Sequence, residues 1–311
     1  MRILIAIVAV AAQAALAASP PSQSALDFML GELIGKCLIV RCQVFRGSVL
    51  TDAPKSGEAI TLRVEEPLFG VEPGTSTIEI PYQPEVSIYS LRAGHGVPWA
   101  GVTVSHNSEF TVVLAGSGPR VPNSYMGFRP NSVVFVAAGG RSEAIVRLLA
   151  MEAEKIEDSP AGIVDAVASL AGEPRPALSG YLTVYLDIRE TAVDPDLECV
   201  LLSRMVGSPS LPNESLGFVL APLVANYFRL AVSTRSEVVQ RLASFGQGAG
   251  GEPAAALFNA LGRIAEFDHS VAGMIGPLAL DALTENYRAL IKRGKIPANR
   301  SFETELGKAH E

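Results

Sequence analysis

The sequence predicts an α+β chain, a small β-barrel followed by an all-helical domain. Three observations carry that prediction. From about Ala25 to Gly140 apolar residues alternate with a period of two, and from about Arg141 onward they recur every three to four residues. Pro- and Gly-bearing turns divide the first half into five short runs, the spacing of a small barrel whose closure removes exposed edges. With 311 residues, 48% of them hydrophobic, the chain has core material for two domains of ordinary size.

The first seventeen residues read as a signal peptide. Arg2 supplies a positive start, ILIAIVAVAAQAALA an apolar stretch, and Ala15-Leu16-Ala17 a small-x-small cleavage site. Residues 18–24 follow as a polar linker. The apolar stretch is shorter than the roughly 20 residues a membrane span needs. The protein is therefore expected to be exported, periplasmic or secreted, with no transmembrane segment left after cleavage.

Residues 25–140 form the expected barrel domain. Leu26, Met29, Leu30, Leu33 and Ile34 are spaced for one helix face over Ser24–Ile34. A strand is expected over Cys37–Leu50, where Leu38, Val40, Cys42 and Val44 alternate with a mixed face. On a continuous strand Cys37 and Cys42 point to opposite faces about 16 Å apart, too far for a disulfide. Cys42 then reads as a small buried hydrophobe. Cys37 reads as an uncommitted thiol, with Cys199 as its one remaining candidate partner. Ile60, Leu62 and Val64 mark the second strand and Ile78, Ile80 and Tyr82 the third. FTVVLAG and SVVFVAAG are the last two, separated by SGPRVPNSYMGFRPN.

Residues 141–311 form the expected helical domain. SEAIVRLLAMEAEKIED is amphipathic, Gly162–Ala171 is a second helix, and EPRPALSG reads as a linker-like turn. DLECVLLSRMV is helical, and Pro212 precedes the apolar SLGFVLAPLVANYF. Thr234-Arg235-Ser236-Glu237 reads as a capping box opening the next helix. Pro253 suits a first helical turn, ahead of a stripe of Leu257, Phe258, Leu261, Ile264 and Phe267. A last pair is expected from Ser270 to Leu290, broken at Gly276-Pro277. First helices start near 196, 234 and 270 and second helices near 215, 253 and 278. A period near 37 residues fits a short HEAT-like helix-pair stack. An irregular bundle fits the same segments.

The pieces CLIVRCQVFRGSVL, AITLRVEEPLFGVEPGTSTIEIPY and PNSVVFVAAG resemble the netrin-like module. That module has an OB-type β-barrel and is shared by the tissue inhibitors of metalloproteinases. The resemblance covers about a third of the chain. It implies an OB-like barrel and a binding role. The module's disulfides have no counterpart among three cysteines, and no cysteine precedes Cys37 to chelate a target's zinc.

Composition and motifs narrow the chemistry. A net charge of −7 without a basic cluster argues against nucleic-acid binding. There is no G-x-S-x-G elbow, and the glycine-rich SFGQGAGG lacks the Lys-Ser/Thr of a P-loop. No cofactor motif is present, and nothing selects a carboxylate pair, so catalysis has no residues assigned. The expectation is a non-catalytic binding protein that engages a protein or another envelope component. Its contacts would be Tyr89, Trp99, Arg120, Tyr125 and Arg129 on two long barrel loops, since aromatics and arginine dominate interface energetics. The alternative is an exported metal-assisted hydrolase in which His95, His106 and Glu109 ligate the metal.

Overall fold

The computed structural model describes residues 22–39, 42–53, 55, 58–81, 104–115, 133–156, 160–170, 173–188 and 194–308. The chain divides into two compact units: residues 27–169 with 176–188, and the remainder. Each is described separately below.

The first unit is built on five antiparallel strands: β1 (Cys42–Val49), β2 (Ala59–Phe69), β3 (Thr77–Pro81), β4 (Glu109–Ala115) and β5 (Val133–Ala137). Their order is β3-β2-β1-β4-β5, with β1 central. Val44 lies opposite Val113 on β4, and Val49 opposite Leu62 on β2. The β1–β2 ladder shifts register between Val44 and Phe45 and between Arg46 and Gly47, and such bulges bend and twist a strand. One face of the sheet holds a core of Phe45, Val49, Ile60, Leu62, Phe110 and Val112. Phe110 and Phe135 meet edge to face with centroids 5.3 Å apart.

Among the described residues four helices accompany the sheet: α1 (Gln23–Ile39), α2 (Arg141–Lys155), α3 (Pro160–Ser169) and α4 (Pro176–Ile188). The first turn of α1, to Leu26, groups with the other unit. Helix α2 packs on β2, β5 and α4. Buried Glu143 fixes it to the sheet by accepting from the Thr111 hydroxyl at 2.9 Å and from the Gly139 N–H. Arg147 donates to Glu143 and makes a two-pronged pair with Glu66 at 2.7 and 2.8 Å. Helices α1 and α4 touch backbone to backbone. A Cβ on Gly31 would overlap the Ala177 carbonyl, and one on Gly180 would overlap the Phe28 carbonyl.

The second unit holds α5 (Pro195–Met205), α6 (Leu216–Asn226), α7 (Val232–Gly246), α8 (Gly251–Phe267), the single turn α9 (Val271–Met274), α10 (Pro277–Lys292) and α11 (Arg300–Lys308). One-turn 3₁₀ segments, Asn213–Ser215 and Tyr227–Arg229, flank α6. The packing forms two rows. Helix α5 contacts α7 and α7 contacts α10, while α6 contacts α8 and α8 contacts α11. The rows are joined by α5 on α6 and α7 on α8. Leu257, Phe258, Leu261 and Ile264 of α8 are buried, and Phe258, Tyr287 and Phe302 form an aromatic cluster with centroids 5.0 to 5.8 Å apart.

The α+β class and all five strands are present, and several local expectations are corrected. Helix α1 runs on to Ile39, so Cys37 is helical and only Cys42 lies on β1. Gly35 does not stop the helix because it is a contact residue: a Cβ there would stand 2.8 Å from the Tyr181 ring. All three cysteines are free and buried. Burial raises the Cys37 thiol well above its usual value and pushes Cys42 and Cys199 up to about 12. EPRPALSG is not a linker. Its second proline opens α4, and Ala177, Leu178, Ser179 and Gly180 are buried. Helix α7 starts at Val232, ahead of the expected capping box. Ala231 takes the cap position and donates its N–H to Asp196, and Arg235 donates to the Leu230 and Phe228 carbonyls, which anchors that start. In the third pair α10 occupies the first row, and the unanticipated α11 supplies the second. The unit that holds the sheet also reaches beyond residues 25–140, because α2, α3 and α4 group with it.

Candidate functional site

The residues singled out for binding, Tyr89, Trp99, Arg120, Tyr125 and Arg129, lie outside the described residues, as does His95. His106 and Glu109 are described and turn to different partners. His106 Nδ1 stands 3.0 Å from the Leu50 carbonyl oxygen and 3.3 Å from Asp52 Oδ1. Glu109 Oε2 accepts from Arg46 Nη2 at 2.6 Å. Among the described residues no three His, Cys, Asp or Glu side chains are grouped to hold a metal ion, and no helix is long and apolar enough to cross a membrane.

Two features of the helical unit offer a surface for recognition. The first is aromatic. Phe267 ends the apolar stripe of α8, yet it is 71% exposed, and Phe228 is 40% exposed. Their rings meet edge to face, centroids 5.9 Å apart. The stripe predicted Phe267 as core. Phe267 is the last residue of α8, and its side chain emerges into solvent.

The pair stands on a rigid base. Tyr227 is fully buried and packs edge-on against Phe228 at 5.1 Å. Its hydroxyl donates to Asp268 Oδ2 at 2.9 Å. Asp268 Oδ1 in turn accepts from the Ser270 N–H and hydroxyl. The Arg235 guanidinium lies over the Tyr227 ring, 5.6 Å from its centroid, and donates to the Phe228 carbonyl at 2.8 Å. Burial raises the Tyr227 hydroxyl far above its usual range, and the Asp268 carboxylate adds to that. Burial alone would raise Asp268, but bonds from Ser270 and Tyr227 and the charge of Arg235 outweigh it and hold the carboxyl below its usual value. Both groups therefore keep their charge states at neutral pH, and the base is fixed.

The second feature is a cleft of about 430 Å³ at the other end of α6. Its lining is mostly polar, with Glu214 beside hydroxyl and amide groups, and Pro209 and Phe245 supply an apolar share. The Ser22 hydroxyl donates to Glu214 Oε2 at 2.7 Å and accepts the Ala25 N–H, capping α1. Ser22 falls in the expected linker, and Ser24 at the expected start of the first helix. Serine ahead of a helical run is the capping signal that marks this position.

Compared with known proteins, the chain matches no family model, no curated protein and no solved structure.

Proposed function

We propose that the protein is an exported, non-catalytic binding protein that engages a protein partner of the envelope or exterior through its helical unit. The observation that carries this reading is the exposed pair of Phe228 and Phe267 on its braced base. Large aromatic rings held rigidly in solvent lose little freedom when a partner covers them, and such rings are the usual anchors of interfaces. The two rows of helices support a short HEAT-like helix-pair stack, an architecture that presents extended binding surfaces. In the sheet unit, the order β3-β2-β1-β4-β5 and the bulged β1 support an OB-like, netrin-like barrel, which pairing of β3 with β5 would close. The loops bearing Tyr89, Trp99, Arg120, Tyr125 and Arg129 are a second contact face in the same reading. The hydrolase alternative needs His106 and Glu109 to converge, and they turn to different partners, so the binding reading is the one developed.

The test compares capture of envelope proteins by the wild-type chain, by a Phe228→Ser/Phe267→Ser variant and by Met151→Ser, which alters an exposed apolar residue of the other unit. A partner retained by the wild type and by Met151→Ser, and reduced about tenfold or more by the double variant, is expected. Equal retention by all three chains would remove the aromatic pair from the reading. Phe267→Ser alone should shift unfolding free energy by less than about 0.5 kcal/mol, and denaturant unfolding of the double variant checks that lost capture does not reflect lost fold.

A further inference from the structure

We propose that the cleft beside Glu214 binds an alkylammonium or guanidinium group on an apolar stem, a lysine or arginine side chain presented by a peptide. This site is independent of the aromatic pair. The two stand at opposite ends of α6, whose eleven residues span about 16 Å.

Charge and shape both point to this ligand. Among the described residues lining the cleft, Glu214 is the only charged side chain. The Ser22 hydroxyl engages one oxygen of that carboxylate and so orients it. Neutral groups that can accept further bonds, Ser24 and Asn213, lie in the same lining. An ammonium carries three donors and no acceptor, and a guanidinium five, so a carboxylate among neutral oxygens matches either. An anion would meet Glu214 with no compensating cation. The apolar share of the lining suits the stem. A lysine or arginine stem has three or four methylenes, which can lie along Pro209 and Phe245 while the charged head reaches Glu214. A volume of about 430 Å³ falls within the usual range of ligand sites and admits such a side chain with its flanking backbone.

The test is titration of the purified protein, followed by calorimetry or NMR, with capped Gly-Lys-Gly and Gly-Arg-Gly peptides. A capped Gly-norleucine-Gly peptide and 1,5-diaminopentane serve as comparisons. Saturable binding of a basic peptide is expected, stronger than that of the norleucine peptide. Glu214→Gln should weaken it about tenfold, equivalent to about 1.4 kcal/mol. Glu237→Gln, a change at an exposed carboxylate of α7 paired with Arg241, should leave it unchanged. No saturable binding at millimolar peptide, equal binding of the norleucine peptide, or full affinity in Glu214→Gln would overturn the proposal. Tighter binding of 1,5-diaminopentane than of either peptide would overturn the peptide as source in favour of a free amine. Circular dichroism of Glu214→Gln checks its fold, which an exposed rim carboxylate leaves intact.

Discussion

Glu143 shows how one buried charge can join a helix to a sheet. Burial by itself would raise its carboxyl. The Gly139 N–H, the Thr111 hydroxyl and Arg147 outweigh that and hold it below its usual value of 4.5. A carboxyl lowered by folding contributes stability that is complete above its unfolded value and is lost as pH falls through the folded one. Glu66, also lowered by its pairing with Arg147, acts in the same direction. Chemical denaturation should therefore show stability falling as pH drops below about 4.5. Glu143→Gln should lower unfolding free energy at pH 7 by about 1–3 kcal/mol and flatten that acid dependence. Sequence could not reveal this role. Glu143 sits in the first turn of an amphipathic helix, where glutamate is ordinary, and Thr111 lies 32 residues earlier. Phe267 was equally hidden. A period of 3.6 says which residues share a face, and it does not say which of them other elements cover.

At the scale of elements, strands were more legible than helix ends. Alternation marked all five strands because each has at least one face in a core, and the turns between them carry Pro and Gly. Some of the helix boundaries that failed lie where glycine serves tertiary packing. Gly35 and Gly180 look like breaks, and both lie inside helices where another helix comes too close for a Cβ. This gives a contrast that can be measured. Gly180→Ala or Gly31→Ala should each destabilise the protein by about 1–3 kcal/mol, read from denaturant midpoints, because backbone has to move. Gly217→Ala, in a helix with open space around the added methyl, should be neutral or stabilising by up to about 1 kcal/mol. Equal effects at Gly180 and Gly217 would show that α1 and α4 are not in backbone contact.

For the whole molecule, composition and texture conveyed two folding regions but not their extent. The unit that holds the sheet takes in residues 141–169 and 176–188, so the change from strand to helix near residue 140 does not mark its edge. Sequence texture records local periodicity, whereas a unit is defined by contacts between distant segments. A fragment of residues 22–188 should therefore give dispersed NMR signals and a cooperative melt. A fragment of residues 22–140 should give neither, since it lacks Glu143 beneath Thr111 and the α4 face that covers Gly31. A folded 22–140 fragment would show that α2 and α4 are accessories. The helical unit carries a different consequence. The main contacts of the helical unit run between successive members of a row and across to the other row. If the rows are the proposed helix-pair stack, gain or loss of a pair would change the row's length and leave the pairs two steps away as they were. That freedom would let descendants of this chain vary the reach of the unit while the arrangement around Phe228 and Phe267 is inherited intact.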